Sequence, residues 1–176
     1  MSGTIVLKTE RLTLRKHMIS DAEVLHKRFG IDDKMFEYTG WNPYETEEKA
    51  KETVRHYIDS YSNDRFYSWA IELEGQLIGI IGVYDYNPEN NSTEIGGSID
   101  PDYWGKGYAS EALRCVLIYL TENEGIKCIK AWCAADNIGS MKAIQKSGMI
   151  QTGVEIGALT VGERTYDKLI FEYFNN

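Results

Sequence analysis

Residues 103–113 read Tyr-Trp-Gly-Lys-Gly-Tyr-Ala-Ser-Glu-Ala-Leu, between a part of the chain that is typical of strands and a part that is typical of a helix. The glycines at 105 and 107 allow backbone conformations that a Cβ would forbid. From Ala109 onward, apolar residues recur every three or four positions, which predicts an amphipathic helix. The first amides of such a helix have no internal partner and lie at the positive end of its dipole, so the turn favours a phosphate or diphosphate ligand.

A glycine pair before a helix is also compatible with turn geometry alone, and the residues by themselves leave that alternative open. Two better-known phosphate motifs do not fit this turn. No Lys-Ser or Lys-Thr follows Gly107, which excludes a Walker-type loop. A second Gly-x-x-Gly step is also missing, which excludes the dinucleotide fingerprint.

The composition is that of one compact domain. The chain has 176 residues, 43% of them apolar and 12% aromatic, which predicts a single domain over 1–176 with a substantial core. The 19 Lys and Arg and the 27 Asp and Glu give a formal charge of −8. Because the basic residues are dispersed, nucleic acid and anionic membranes are not expected as partners. The acidic balance either favours a cationic ligand or serves only solubility.

The chain carries three cysteines, all within predicted helices or strands: Cys115, Cys128 and Cys133. Their odd number favours buried thiols in a reducing compartment over disulfides or metal ligands. The three histidines are widely separated, which argues against a metal site or Ser-His catalysis. Met1 is followed by polar residues, and no apolar run reaches membrane-spanning length. We therefore expect a soluble, cytoplasmic protein without a metal.

Hydrophobic periodicity predicts the order of the elements. A strand at 9–16 precedes a helix that opens with the capping-box pattern Ser-Asp-Ala-Glu at 20–23 and stops at Gly30. A helix at 46–61, a hairpin turning at Glu74-Gly75 and a fourth strand at 93–100 follow. The helix after the glycine turn leads to a strand at 127–134, a short helix at 136–147 and a hairpin of strands at 149–156 and 163–173. The strand, helix and strand around the turn predict a right-handed parallel unit.

Two segments depart from regular periodicity. Gly96-Gly97 falls inside the fourth strand, where paired glycines indicate a bulge or the close approach of a ligand backbone. Between 31 and 44, aromatic residues accumulate without a period: Phe36, Tyr38, Trp41 and Tyr44. This loop either covers the core or lines a pocket.

The element order resembles the GNAT N-acetyltransferase superfamily, and three motifs resemble its ribosomal-protein branch, the RimJ/RimL type. The glycine turn looks like that branch's pyrophosphate loop, although Trp104 stands where the superfamily often has Arg or Gln. Asn-Ile-Gly-Ser at 137–140 with Gly-Met at 148–149 is similar to its Asn-x-x-Ser pattern, and residues 9–15 match its opening strand. The resemblance implies an α/β (α+β) fold with a mixed, mostly antiparallel seven-stranded sheet. That sheet would be flanked by about four helices and splayed between strands 4 and 5.

The same resemblance implies acetyl-CoA as the cosubstrate. Its pyrophosphate is expected at six residues: Gly105, Lys106, Gly107, Tyr108, Ala109 and Ser110. Lys106 either adds a cation there or is a solvated turn residue. The pantetheine arm is expected to bond the backbone near Ile99, with Gly96-Gly97 as the bulge that opens the slot. Asn137 is expected to bind the pantetheine or to orient its helix.

Acetyl transfer requires a polarised carbonyl, a neutral amine and a protonated leaving thiolate. The resemblance implies Ser140 as the proton donor to the thiolate or as an oxyanion-side donor; the alternative is a capping role. Ile144 stands where some relatives have a tyrosine, and Leu159 where close relatives have an acid. Glu94 is then the best remaining base, directly or through water, although it is also typical of an outward-facing strand carboxylate.

The acceptor is expected to be a primary amine of a small molecule or peptide: a protein N-terminus, a polyamine or an aminoglycoside-type antibiotic. Neutralising a lysine-like amine with a pKa near 10.4 costs about 4 kcal/mol at neutral pH, whereas an α-amine with a pKa near 7.7 costs little. A homodimer is left open. Two other interpretations are a catalytically silent acyl-CoA-binding sensor and a nucleotide-binding enzyme.

Overall fold

The computed structural model describes residues 2–174, which form one mixed eight-stranded sheet with four α-helices. The strands are β1 (Leu7–Lys8), β2 (Leu12–Arg15), β3 (Ser68–Leu73), β4 (Gln76–Asn87), β5 (Ser92–Ile99), β6 (Cys128–Ala134), β7 (Ile150–Val161) and β8 (Arg164–Phe174). The helices are α1 (Asp21–Leu25), α2 (Glu47–Ser60), α3 (Tyr108–Ile118) and α4 (Ile138–Lys146). Wider, π-helical turns continue α1 over His26–Gly30 and α3 over Tyr119–Asn123.

The sheet has the order β1-β2-β3-β4-β5-β6-β8-β7, and within residues 2–174 only β5 and β6 pair in parallel. The predicted mixed, mostly antiparallel sheet with four helices is confirmed. The predicted number of seven strands was wrong because β1, with two residues, is too short to show a period in the sequence. The hairpin turn at Glu74-Gly75 is confirmed, since both residues have positive φ (50° and 82°), as a two-residue hairpin turn requires.

Helices cover the two faces of the sheet unequally. On the first, which we call the α3 face, α3 and α4 bury the main core, where Val116 and Leu117 pack with Ile95 and Ile99 of β5. On the other, the α2 face, α1 and α2 pack against β3 and β4 through a second cluster around Leu25 and Val54. Among the described residues, no helix covers the α2 face of β6, β8 and β7.

The capping box predicted at 20–23 does not form. Ser20 lies in the helical region and its side chain makes no cap hydrogen bond. The Asp21 carboxylate instead accepts the Met18 amide at 2.8 Å and pairs with Arg15. The Asp21 carboxylate turns toward β2 because it forms an ion pair with the Arg15 guanidinium there.

The splay predicted between the fourth and fifth strands lies between β5 and β6, because the additional strand β1 shifts the numbering by one. These strands pair at only three positions, the last being Glu94 with Lys130, while β5 stays paired with β4 as far as Ile99. The predicted bulge at Gly96-Gly97 was wrong, because both glycines pair in regular register with Gly82 and Ile81. The irregularity lies in β4 between Tyr84 and Asn87, where Asp85 has a φ of 52°.

Gly97 is needed for a different reason. A Cβ at this position would lie 2.4 Å from the Ile80 carbonyl oxygen, which is far inside van der Waals contact. The glycine therefore permits β4 and β5 to approach closely. The backbone that approaches Gly97 in the structure is that of a neighbouring strand, whereas the sequence interpretation concerned the backbone of a ligand.

Candidate active site at the splayed strands

The glycine turn between β5 and α3 is held by neighbouring charges. Asp100 closes a short 3-10 turn by accepting the Asp102 amide at 3.1 Å, and the Arg28 guanidinium donates to its other carboxylate oxygen at 2.7 Å. Gly105 and Gly107 then adopt φ values of 75° and 84°, and Gly107 is the residue that precedes the first turn of α3. These left-handed conformations turn the chain sharply into the helix.

Six consecutive amides of this turn have no hydrogen-bond partner among the described residues. Within residues 2–174, no acceptor lies in hydrogen-bonding reach of any backbone N–H from 105 to 110. The Ser110 hydroxyl donates to the Gly107 carbonyl at 3.0 Å and so leaves its own amide open. A Cβ built on Gly105 would meet nothing within 4 Å, so the concave side of the turn is accessible. A row of free N–H groups at the positive end of a helix is suited to an anion with several oxygens.

Arg11 stabilises the glycine turn through three contacts. The sequence analysis did not predict this role. Its guanidinium donates to the Lys106 carbonyl oxygen at 3.0 Å, pairs with Glu111 at 2.6 Å and lies 4.4 Å from the centre of the Tyr108 ring. Glu111 would otherwise place an unpaired negative charge in the first turn of α3. The pattern could not indicate this contact, since Arg11 alternates with apolar residues like any exposed strand residue.

Lys106 is exposed, and its ammonium does not point freely into solvent. It donates to the Asp102 carbonyl oxygen at 3.1 Å and lies 5.3 Å from the centre of the Tyr103 ring. The turn thus carries two cations, Lys106 and Arg11, beside its free amides.

The edge of β5 that faces the splay exposes backbone groups. Because the Asp100 amide donates to the Ile78 carbonyl, alternate residues of β5 direct their groups to β4, and Gly97 and Ile99 direct theirs toward β6. The Trp104 indole N–H donates to the Ile99 carbonyl oxygen at 2.6 Å. This bond explains an aromatic residue at the start of the turn, because its side chain ties the turn to the end of β5.

In the first turn of α4, the residue that caps the helix is Asn137 and not Ser140. The Asn137 side chain accepts the Ser140 amide at 3.2 Å and is the cap of the helix. Ser140 therefore does not cap α4. Burial raises the pKa of the Cys133 thiol to about 11, and the Ser140 hydroxyl beside it partly offsets that rise. Cys133 belongs to the α3 face of β6, so the Ser140 hydroxyl reaches the splay from that side.

Glu94 lies on the opposite face. It pairs in register with Tyr84 of β4 and with Lys130 of β6, at the last position where β5 and β6 are joined. Glu94 also lines a shallow pocket of about 150 Å³ with Trp132, Lys168 and Glu155, on the α2 face that no helix covers. The structure thus places Glu94 and Ser140 on the two sides of one gap in the sheet.

The inner part of the aromatic loop at 31–44 covers the core, which is one of the two roles considered from its sequence. Tyr44 is 2% exposed and packs with Phe29 in the smaller core. Tyr38 instead lies edge-on to Tyr166 of β8, with ring centres 5.2 Å apart, and its hydroxyl donates to the Asp136 carbonyl oxygen at 3.4 Å. The outer part of the loop therefore forms a wall beside the uncovered α2 face.

Residues 2–174 contain neither a cluster of metal ligands nor a helix suited to crossing a membrane. No group of three or more His, Cys, Asp or Glu side chains is arranged to hold a metal ion. None of the helices in this range has the length and apolar character needed to cross a membrane.

Comparisons with known proteins extend over the turn and the splayed strands. The sequence profile described as "Acetyltransferase (GNAT) domain" matches residues 11–150. The uncharacterized N-acetyltransferase YoaA of Bacillus subtilis (strain 168) is 32% identical over 151 residues, which are 85% of this chain and 85% of that protein. The ribosomal-protein-serine acetyltransferase of Escherichia coli (strain K12) is 26% identical over 109 residues, 62% of this chain and 61% of that protein.

A solved structure, the acetyltransferase (GNAT family) from Bacillus anthracis, superposes with a TM-score of 0.82. It is 28% identical and covers 97% of this chain and 99% of its own.

Proposed function

Because the chain belongs to the GNAT acetyltransferase family, we propose that it moves the acetyl group of acetyl-CoA to a primary amine where β5 and β6 diverge. The predicted family is confirmed, and so is the likeness to the RimJ/RimL branch, since the relatives include a ribosomal-protein-serine acetyltransferase. The chain is thus an N-acetyltransferase. Its acceptor and the roles of its residues are the subject of the proposal.

The row of free amides from 105 to 110 carries the assignment of the cofactor site. A diphosphate offers several oxygens to these donors, and the nearby ammonium of Lys106 adds attraction, whereas the charge of Arg11 is balanced by Glu111. Acetyl-CoA, when bound, supplies the thioester that is cleaved. The turn holds its diphosphate at the α3 face, so the rest of the molecule extends toward the splay.

The edge of β5 is suited to the pantetheine arm. Gly97 and Ile99 direct N–H and C=O groups into the gap, where an extended amide chain can bond them like an added strand. The Ile99 carbonyl already accepts the Trp104 indole, so Trp104 either shares this oxygen or rotates away when the arm binds. Asn137 then acts on the site through the orientation of α4, rather than by contact.

Proton transfers are divided between the faces of the sheet. Glu94, on the α2 face, is placed to take a proton from the acceptor ammonium, directly or through one water. Ser140, on the α3 face, is placed to donate its hydroxyl proton to the departing sulfur. The amine nitrogen attacks the carbonyl carbon from the α2 side, and the C–S bond then breaks with the sulfur leaving as the thiol on the α3 side. The proton that the nitrogen loses as the amide forms restores the Ser140 hydroxyl through solvent.

The acceptor that fits best is a cationic primary amine: a protein N-terminus, a polyamine or an aminoglycoside-type compound. Glu94 borders the pocket on the uncovered face, and the chain carries a charge of −8. Glu155 in the same pocket is paired with Lys168 at 3.7 Å, so the attraction for a cation comes from Glu94 and not from the pocket lining as a whole. The aromatic wall of Tyr38 and Tyr166 stands at the same face and suits an acceptor with an extended body.

Release of free CoA tests this function. Purified protein is incubated with acetyl-CoA and a thiol reagent, with and without spermidine, kanamycin or a peptide that has a free N-terminus. We expect release of CoA that depends on an amine and an acetylated product of the corresponding mass. Tight binding of CoA without turnover on any amine would instead favour the silent sensor.

A glycine substitution tests the cofactor site. In Gly105→Val, a side chain should enter the space in front of the amides and raise the KM for acetyl-CoA at least tenfold. Gly125→Val is the matched control, because Gly125 has a similar φ of 72° and equally open surroundings, beyond the opposite end of α3. Equal effects of the two variants on the KM would contradict the assignment.

A further inference from the structure

Tyr84 occupies the mouth of the splay on the α2 face. It stands directly opposite Glu94 in the pairing of β4 with β5, so both side chains project from the same face. Its ring leans along the sheet over Gly96, since a Cβ on Gly96 would lie 3.1 Å from the Tyr84 hydroxyl oxygen and 3.3 Å from Cε1. Any larger residue at 96 would push this ring away, which is the structural reason for the first glycine of the pair.

The register of β5 and β6 shows that the Tyr84 ring lies where these two strands have separated. The last parallel pair is Glu94 with Lys130, so the next pair on the same face would be Gly96 with Trp132. That pair does not form, because the strands have separated. Tyr84 from β4 and Trp132 from β6 fill the space over these two positions. The Trp132 side chain lies close enough to hydrogen-bond the Tyr84 hydroxyl.

The Tyr84 side chain is also reachable. The residue is 42% exposed, and no helix covers this part of the α2 face in the described chain. The negative charges of Glu94 and Asp85 lie near it, which favours a positively charged group at its hydroxyl.

We propose that Tyr84 is an acceptor-binding residue, whose hydroxyl holds the incoming amino group at the α2-face mouth of the gap between β5 and β6. This inference rests on the proposed function, because it assumes that acetyl transfer occurs in that gap. A phenol hydroxyl accepts a hydrogen bond from an amine N–H and still has its own proton to donate. By accepting one N–H, Tyr84 fixes the direction of the nitrogen, and Glu94 is left to take the proton that must depart.

The ionisation of Tyr84 is consistent with this role. Burial, together with the charges of Glu94 and Asp85, raises the pKa of Tyr84 to about 12, although Trp132 offsets part of the rise. Tyr84 therefore keeps its proton at neutral pH and does not compete with Glu94 as a base.

Tyr84→Phe tests the proposal, because it removes one oxygen and leaves the ring over Gly96 in place. A hydrogen bond to a charged group is expected to change kcat/KM for the amine by about 10- to 100-fold, and we expect that loss here. The KM for acetyl-CoA and the slow, amine-independent hydrolysis of acetyl-CoA should stay within about twofold. A purely structural role would change these two quantities as well.

Tyr86→Phe is the matched control, since Tyr86 lies two residues further along β4 and its hydroxyl donates to Asn91 at 3.4 Å. It should retain wild-type kcat/KM for spermidine, kanamycin and the peptide. Wild-type amine kinetics in Tyr84→Phe would overturn this inference and leave the proposed function standing. Equal losses in both variants, or a parallel loss of acetyl-CoA affinity, would also overturn it. Failure of the wild-type protein to acetylate any of the three amines would overturn both proposals.

Discussion

At the scale of single residues, the first turn of α4 shows how capping frees a hydroxyl for chemistry. Asn137 accepts the Ser140 amide, so the Ser140 hydroxyl remains available beside the Cys133 thiol. The sequence alone left capping and catalysis as alternatives for Ser140, because both place a serine near a helix start. The structure removes the capping alternative, and the catalytic role stays a prediction.

Ser140→Ala should therefore lower kcat more than it changes the KM for acetyl-CoA. If the hydroxyl protonates the leaving thiolate, its loss should slow turnover by about 10²–10⁴-fold, the usual contribution of a positioned general acid. The measurement is steady-state kinetics with CoA binding followed separately. A rise in the KM at unchanged kcat would assign Ser140 to binding.

Glu124 illustrates a residue with a structural role far from the gap. Its carboxylate is 7% exposed and accepts hydrogen bonds from the Tyr67 hydroxyl at 2.6 Å, the Tyr119 hydroxyl at 3.1 Å and the Ser2 nitrogen at 2.9 and 3.0 Å. Burial alone would raise the pKa of Glu124, but these donors outweigh it and hold the pKa below its ordinary value. The carboxylate thus ties the end of α3 to β3 and to the first residues of the described chain.

Glu124→Gln should reduce the free energy of unfolding by about 1–3 kcal/mol at pH 7, because a buried network loses its matched acceptor. A lowered folded-state pKa gives stability that is present above the unfolded value near 4.3 and is lost as the pH falls through the folded value. The difference from wild type, measured by urea unfolding, should therefore shrink below about pH 4. Glu122→Gln, at an exposed neighbouring position, is the control and should change little at either pH.

At the scale of the elements, β5 is the strand on which the site depends. One edge pairs with β4 along its length, while the other pairs with β6 for three positions and then opens. The two glycines that seemed to mark a bulge do different things: Gly97 lets β4 approach and Gly96 makes room for the Tyr84 ring. The strand stays regular, so its free edge keeps an even row of backbone groups.

Gly97→Ala should destabilise the fold by about 1–3 kcal/mol, as overpacking does in a close-packed core, because the new methyl would collide with the Ile80 carbonyl. Gly82→Ala, opposite Gly96 in β4, is the control, since its methyl would lie 3.4 Å from the nearest atom, the Tyr67 carbonyl oxygen. Thermal and urea unfolding of both variants give the comparison. Similar losses would show that the close approach at Gly97 does not restrain the strands.

At the scale of the whole molecule, the sheet separates two approaches to one gap. The α3 face carries the turn with free amides and Ser140, and the α2 face carries Glu94, Tyr84 and the aromatic wall beside or on its uncovered half. An acceptor can thus arrive from the side opposite the cofactor. This arrangement predicts that cofactor binding stabilises the protein before any amine is present.

CoA at a hundred times its Kd should stabilise the fold by about 2.7 kcal/mol. For a chain of this size, that corresponds to a rise in Tm of roughly 5–11 °C. ATP at the same concentration should produce a much smaller shift, and Gly105→Val should lose most of the shift with CoA. A larger shift with ATP than with CoA would favour the nucleotide-binding interpretation.

Local signals in the sequence determined the type of most elements and the family. The glycine turn, the amphipathic helix after it and the parallel crossover follow from periods and backbone freedom that neighbouring residues define. The extent of the terminal hairpin was underestimated, because β7 is largely exposed and its apolar period is weak beyond Ile156.

Tertiary structure alone decided how the site is assembled. Arg11 meets Glu111 across 100 residues of sequence, and Tyr84 reaches over Gly96 of another strand. Glu94 of β5 and Ser140 of α4 lie on opposite sides of the gap between β5 and β6. Local sequence patterns record the conformation of neighbours, whereas these contacts are fixed by how β4, β5, β6 and the helices pack. That packing places a free row of amides on one side of the sheet and the candidate acceptor-binding groups on the other.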